Sequence, residues 1–284
     1  MSDLPYVIGC PSWNEPGWRG LLAGGPADDL LDRYCATFNG VEGNTTFHAR
    51  PSPGTIARWA ERMPASFRFC AKFNRDISHN GDLRDRFEET ESFVELLRPL
   101  RSRLNPFWLQ LPASFGPNRL AELEAWLDAF DHLTVAVEVR HLEFFSKQEP
   151  ERALNRLLQG RGVERIGFDT RAVFKSPLSD AYVREAQSRK PRLPVRAPAF
   201  TDEPQVRFVG SGDLRFNDRF LSPWVAKVAD WIYEGRRPHV YLHAPDNRQA
   251  AMQAFRFHAQ LQARVPGLPD LPAQAAESEQ LGLL

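Results

Sequence analysis

The chain lacks any apolar run approaching the roughly 20 residues that span a bilayer, and its opening Met1-Ser2-Asp3-Leu4-Pro5-Tyr6 shows no basic segment leading into an apolar one. A cytoplasmic protein without a membrane partner is expected. Cysteine is scarce: Cys10, Cys35 and Cys70 are odd in number and form no Cys-x-x-Cys pair, which excludes a disulfide framework and a zinc knuckle. They read as reduced, buried thiols. Net charge is missing too. Lys+Arg and Asp+Glu both total 36, with a pI near 7.1, so nucleic acid as a partner is disfavoured unless a local basic patch exists. There is no Gly-rich phosphate loop, no Gly-x-Ser-x-Gly elbow and no cysteine nucleophile. His79, His141, His243, Glu138 and Asp169 form a nominal divalent-metal set, but no His-x-His or His-Glu-x-x-His spacing supports it. Neither a metal nor a cofactor is expected.

What the chain does have is length and apolar content. Its 284 residues, 42% hydrophobic and 11% aromatic, suit one (β/α)8 barrel of the usual ~250 residues. Eight short apolar runs recur at 6–10, 40–44, 67–72, 107–111, 133–139, 165–169, 206–209 and 240–244. Such continuous runs suit parallel strands buried on both faces. Helical spacing fills the gaps at 28–38, 53–63, 85–100, 118–130, 150–159, 218–233 and 249–263. Strand and helix alternating eight times, with right-handed crossovers, close into a single α/β TIM barrel over residues 1–265. The sixth unit breaks the rhythm with a long irregular insertion, 175–204, containing a helical stretch at 179–188 and a Pro-rich run from Lys190 to Pro204. It is expected to wrap the barrel's top or side. Residues 266–284 are expected to form an extended C-terminal tail.

Barrel chemistry collects where strands end. Those positions hold Trp13; Glu42, Asn44 and Phe47; Lys72, with His79 beyond; Gln110; Glu138, Arg140 and His141; Asp169; and His243 and Asn247. Burying unpaired ions is costly, so these groups either form an interior ion-pair network or face a cleft. Their number at one level favours a ligand pocket. Glu138 and Arg140 share one face of a strand by its period of two, and a carboxylate beside a guanidinium suits an anionic, hydroxyl-rich ligand. Lys72 adds an anchor, or an acid/base if its pKa is lowered. Trp13 and Phe47 either stack on a ligand ring or pack a lid.

Gly9-Cys10-Pro11-Ser12-Trp13, the stretch from Phe38-Asn39 to Phe47, Phe67-Arg68-Phe69-Cys70-Ala71-Lys72-Phe73, Gln110-Leu111-Pro112-Ala113-Ser114-Phe115, Val137-Glu138-Val139-Arg140-His141, Lys190-Pro191 and Pro245-Asp246-Asn247 together resemble the YecE-like family, also called domain-of-unknown-function family 72. The resemblance runs from about Tyr6 to Val265. It implies a TIM barrel and carries no activity. The polar positions it implies are Asn44, Lys72, Gln110, Glu138, Arg140, His141 and Asp169. Three positions depart from it: His48 where Tyr is usual, Leu142 where Pro often follows, and Ser211 where His often follows Gly210.

Three functions compete. The first is an enzyme, possible classes being a hydrolase, lyase or isomerase, acting on a small phosphorylated or carboxylated, hydroxyl-rich metabolite. Glu138 or Lys72 would be its acid/base, Asp169 a further catalytic carboxylate and Arg140 the anion clamp; Trp13, Glu42, Asn44, Phe47, Gln110, His141, His243 and Asn247 would bind the ligand. The second is a metal-dependent phosphodiesterase on nucleic acid, for which Arg184, Arg189, Lys190, Arg192 and Arg196 are the candidate basic stripe. The third is a ligand-binding barrel without turnover.

Overall fold

In the computed structural model the described residues are 4–25, 28–177 and 181–273. Nine parallel strand segments alternate with eleven helices in this part of the chain. The order is β1 (Val7–Gly9), α1 (Leu30–Thr37), β2 (Gly40–Gly43), α2 (Asn44–His48), α3 (Pro53–Arg62), β3 (Arg68–Ala71), α4 (Arg75–Ser78), α5 (Phe87–Leu97), β4 (Phe107–Gln110), α6 (Leu120–Ala129) and β5 (Val135–Glu138). It continues with α7 (Glu149–Gly160), β6 (Glu164–Arg165), β7 (Gly167–Asp169), α8 (Arg171–Lys175), α9 (Ala181–Arg189), β8 (Gln205–Val209), α10 (Leu214–Tyr233), β9 (His239–His243) and α11 (Ala250–Gln262). No described helix is long and apolar enough to cross a membrane.

Helix starts follow local chemistry. Asp29 accepts the amides of Leu31 and Asp32 to open α1, and Ser52, followed by Pro53, opens α3. The last long crossover was expected to begin at 218. It starts at Leu214, because the Asp213 carboxylate accepts the Arg215 and Phe216 amides and organises a turn that apolar spacing does not reveal.

The expected single closed sheet of eight strands is found as three hydrogen-bonded groups: β1-β9-β8-β7, β2-β3 and β4-β5-β6. Each interruption has a physical cause. Between β1 and β2, side chains stand in for the ladder. Asn39 Oδ1 accepts the Ile8 amide at 2.8 Å, and its Nδ2 donates to the Tyr6 carbonyl. The Tyr34 hydroxyl accepts from the Cys10 amide and donates to the Gly40 carbonyl. One backbone bond, Glu42 N–H to Cys10 C=O, completes the seam. Between β3 and β4, Pro106 has no N–H to offer, and pairing is reduced to bridges at Phe69–Leu104 and Lys72–Trp108. The sixth expected strand divides at Ile166: β6 pairs back to β5 and β7 pairs forward to β8.

The insertion is pinned rather than loose. Arg196 pairs with Glu151, Glu164 accepts the Phe200 and Thr201 amides, and Thr170 donates to the Pro191 carbonyl. Its expected helical stretch appears as α9; Ser179 lies outside the described residues. Of the tail, Leu271 is buried and Ala273 bridges Leu22; residues 274–284 lie outside the described residues. All three cysteines are free and buried, and burial pushes the Cys35 thiol up to about 12.

The seam gives a sharp expectation. A Cβ on Gly9 would lie 2.0 Å from the Gly40 carbonyl oxygen, whereas one on Gly160 meets nothing within 4 Å. Gly9→Ala should therefore cost about 3 kcal/mol or more through overpacking. Gly160→Ala should be neutral or stabilising by up to about 1 kcal/mol. Urea melts of the two variants check this; equal midpoints would show that the seam yields.

Candidate functional site

Period-two alternation builds the site. On the enclosed face, Cys70, Trp108, Ala136, Ile166 and Tyr241 form one apolar cluster. One step further along the same strands come Lys72, Gln110, Glu138 and His243, joined by Glu42 from β2 and Arg207 from β8. A polar layer thus sits on an apolar one, at the C-terminal ends of the strands.

The polar layer is one connected network. Lys72 Nζ donates to Glu42 Oε1 at 3.0 Å, Asn44 Oδ1 at 2.9 Å and Gln110 Oε1 at 3.0 Å. Arg207 reaches two carboxylates: its Nε donates to Glu42 Oε2 at 3.1 Å and its NH1 to Glu138 Oε2 at 3.0 Å. His243 Nε2 donates to Glu42 Oε2 at 2.5 Å. Arg140 grips the other oxygen of Glu138, with Nε at 2.8 Å and NH2 at 2.7 Å. Glu42 and Glu138 have no solvent exposure, while Arg140 is 16% exposed. Aromatic faces flank the cations. Lys72 Nζ lies 5.5 Å from the ring centres of Phe47 and Trp108, and Arg207 lies 5.1 Å from that of Phe168.

Charge states follow from the network. Burial pushes the Glu42 carboxyl up, but Arg207, His243 and Lys72 outweigh it and hold the group well below the usual carboxylate range. Glu138 is treated likewise, with Arg140 and Arg207 outweighing burial and leaving it at about 2. Burial and the neighbouring Arg207 lower Lys72 to about 8 against the pull of Glu42 and Glu138. Burial lowers His243 to about 4, so it donates to Glu42 as a neutral ring.

Above the network lies a cavity of about 920 Å³, lined by Asn44, Phe47, Lys72, Gln110, Arg140, Arg207, His243 and Asn247, with α9 and Lys190 on its far side. Most of the expected residues therefore meet in one place, with Glu42 and Glu138 beneath the floor. Three lie elsewhere. Asp169 accepts from Arg171 and, at 2.8 Å, from Trp224 Nε1, on the α10 side of its strand. His141 caps a short 3-10 turn at Leu142–Phe145 and packs against Phe144. Trp13 packs edge-on against Trp59 and beside Phe69. Sequence reasoning missed Arg207, whose signal was a lone charge within an apolar strand run, and Lys190, which it read as part of a basic stripe. His48, one of the departures noted above, also lines the cavity. Among the described residues no group of three or more His, Cys, Asp or Glu side chains is arranged to hold a metal ion.

Both His243 and Glu138 have depressed pKa values in the folded chain. As pH falls from 6.5 towards 4 the unfolded chain takes up a proton that native His243 refuses; from about 4.5 to 2 the same holds for Glu138. Stability should decline below pH 6.5, the His243 part amounting to about 3 kcal/mol, and rise above about pH 8, where native Lys72 gives up a proton that the unfolded chain keeps. Guanidinium melts from pH 7.5 to 4 should show the decline, with a shallower slope in His243→Gln; an unchanged slope would remove His243 from the network.

Residues 7–278 match the family described as "Protein of unknown function DUF72". The chain is 38% identical over 272 residues to the UPF0759 protein YecE of Escherichia coli K12, covering 95% of this chain and 98% of that protein. The corresponding protein of Escherichia coli O157:H7 matches equally well, at 38% over 272 residues. Two crystal structures of a DUF72 family protein from Enterococcus faecalis V583 share the fold with a TM-score of 0.67, at 18% and 17% identity. They span 93% of this chain, and the match takes in 97% and 99% of theirs. An α/β chain of parallel strands carrying this polar layer, matched along nearly its whole length, belongs to the DUF72 family.

Proposed function

We propose that the three strand groups close into one (β/α)8 barrel, and that the cavity at its C-terminal end binds and transforms a small phosphorylated or carboxylated, hydroxyl-rich metabolite. The contacts that carry closure are the β1–β9 pairing, the side-chain seam from β1 to β2 and the bridges from β3 to β4. The observation that carries the function is a cluster of cations at one cavity. Lys72, Arg140, Arg207 and Lys190 line it over the buried Glu42 and Glu138, while its other carboxylates are engaged elsewhere: Glu185 with Arg189, Asp246 with Arg248 and Glu15 with the Gly17 amide. Such a low-dielectric cleft with clustered cations concentrates anions.

Roles divide by geometry. Both oxygens of Glu138 are engaged by arginines and its pKa is about 2, so it orients Arg140 and Arg207 instead of moving protons. Lys72, near 8, is the better acid/base. Asn44 faces the cavity, and a substrate oxygen can replace it as acceptor of a Lys72 proton. Arg140 keeps part of its guanidinium open and serves as the clamp. Nothing favours a nucleic-acid substrate, since Arg189 pairs with Glu185 and Arg196 with Glu151.

Two arginine substitutions test the division. Arg207→Met leaves two buried carboxylates short of a partner and should cost about 3–5 kcal/mol. Arg140→Met leaves Glu138 with Arg207 and should cost about 1–2 kcal/mol while weakening anion affinity about tenfold or more. Thermal melts with and without inorganic phosphate read both effects. A wild-type protein that gains no stability from phosphate, sulfate or simple carboxylates would overturn the anion pocket.

A further inference from the structure

Of the chain's 36 basic residues only five are lysines: Lys72, Lys147, Lys175, Lys190 and Lys227. Arginine fills nearly every position where a cation suffices. Two of the five lysines nevertheless face the same cavity. An arginine is never deprotonated in a protein, whereas a lysine can lose its proton and become a nucleophile. A lysine at a cavity can therefore do work there that a guanidinium cannot.

The two pocket lysines are placed differently. All three N–H bonds of Lys72 are donated, to Glu42, Asn44 and Gln110, so its nitrogen has no lone pair to offer. Lys190 is half-buried at the end of α9, its backbone amide bonded to the Ala186 carbonyl. The next residue, Pro191, is tied to the strand layer through the Thr170 hydroxyl. The segment is thus held over the cavity, and among the described residues the Lys190 ammonium has neither a carboxylate nor a hydrogen-bond acceptor within reach. Its neighbours across the cavity are mainly cations, and burial together with Arg207 and Lys72 brings the amine down to about 7, against the pull of Glu42.

We propose that Lys190 is an imine-forming nucleophile and that the ligand of this pocket is an anionic metabolite bearing an aldehyde or ketone. The inference rests on the anion-pocket reading and deepens it. The neutral amine adds its lone pair to the carbonyl carbon, forming the C–N bond as the C=O π electrons move to oxygen. The nitrogen then loses a proton and the oxygen gains one, giving a carbinolamine. A second proton, supplied from the Lys72 side, lets that oxygen leave as water while the nitrogen lone pair forms C=N–H+, and loss of that nitrogen proton gives the neutral imine and returns the borrowed one. Amine plus carbonyl gives imine plus water, with no oxidant or reductant consumed. Arg140 and Arg207 hold the anionic group, and the cations around the nitrogen favour the free amine before attack.

The probe is pyridoxal 5′-phosphate, an anionic aldehyde whose imine absorbs in the visible and is fixed by borohydride. Incubation of the full chain at low concentrations of the probe, reduction and peptide mass analysis should place the adduct on Lys190 at least tenfold above Lys147, Lys175 and Lys227. Pyridoxal, which lacks the phosphate, should need at least tenfold more. Lys190→Arg should abolish the visible band, and Arg140→Met should raise the half-saturating concentration while Lys190 remains the labelled residue. Labelling spread evenly over the lysines, or falling first on Lys72, would overturn the proposal. Thermal melts in inorganic phosphate separate the two levels. Stabilisation by phosphate without an adduct at Lys190 refutes the imine chemistry and leaves the anion pocket standing. No stabilisation by phosphate removes the pocket and this inference together.

Discussion

The buried guanidinium of Arg207 is the constraint on which the site depends. Glu42 and Glu138 rise from β2 and β5 into a region without solvent, where an uncompensated carboxylate would take up a proton. Arg207, from β8, bonds to both and keeps both charged. Once that bridge exists the remaining cations have fixed addresses: Lys72 and His243 on Glu42, Arg140 on the free oxygen of Glu138. Three strands distant in the chain are thereby joined at the level where the cavity begins. The cost of desolvating these ions is the reason such a network is weak evidence for stability and better evidence for a poised binding surface.

The roof of the cavity is made by the segment that breaks the repeat. Glu151 and Glu164, one on α7 and one on β6, hold Arg196 and the Phe200–Thr201 amides, so the long connection cannot drift from the strand layer. That anchoring lets α9 present Lys190 opposite residues that the strands present from below. The floor is fixed by sheet geometry and the roof by Glu151, Glu164 and the Thr170 hydroxyl, so the roof is held in register with the strands it covers.

Much of this was legible in the sequence, because periodicity reports burial. All eight apolar runs correspond to strand segments, and polar residues at the ends of five of them, Glu42, Lys72, Gln110, Glu138 and His243, meet in the network or the cavity. What escaped has physical reasons. Arg207 was hidden by its company, Val206 and Phe208, although period two places it with Val209, which also lines the cavity. Asp169 closes its strand as Glu138 does, but Ile166 and Phe168 occupy the enclosed face of that strand, so the next residue points to Trp224. The alternation counted from Ile166 would have shown it. The division of the sheet could not be read, since it depends on Asn39 and Tyr34 offering hydrogen bonds across a gap that apolar patterning does not register.

That seam between β1 and β2 has a consequence for how this chain can change over generations. A backbone ladder is indifferent to side chains and tolerates nearly any replacement except proline. Here the joint is written in the side chains of Asn39 and Tyr34 and in the close approach of Gly9 to Gly40. A replacement at any one of them removes a contact or a space that no backbone ladder makes good, so the seam limits which residues can stand here. The first two strands are thereby constrained in inheritance as well as in space.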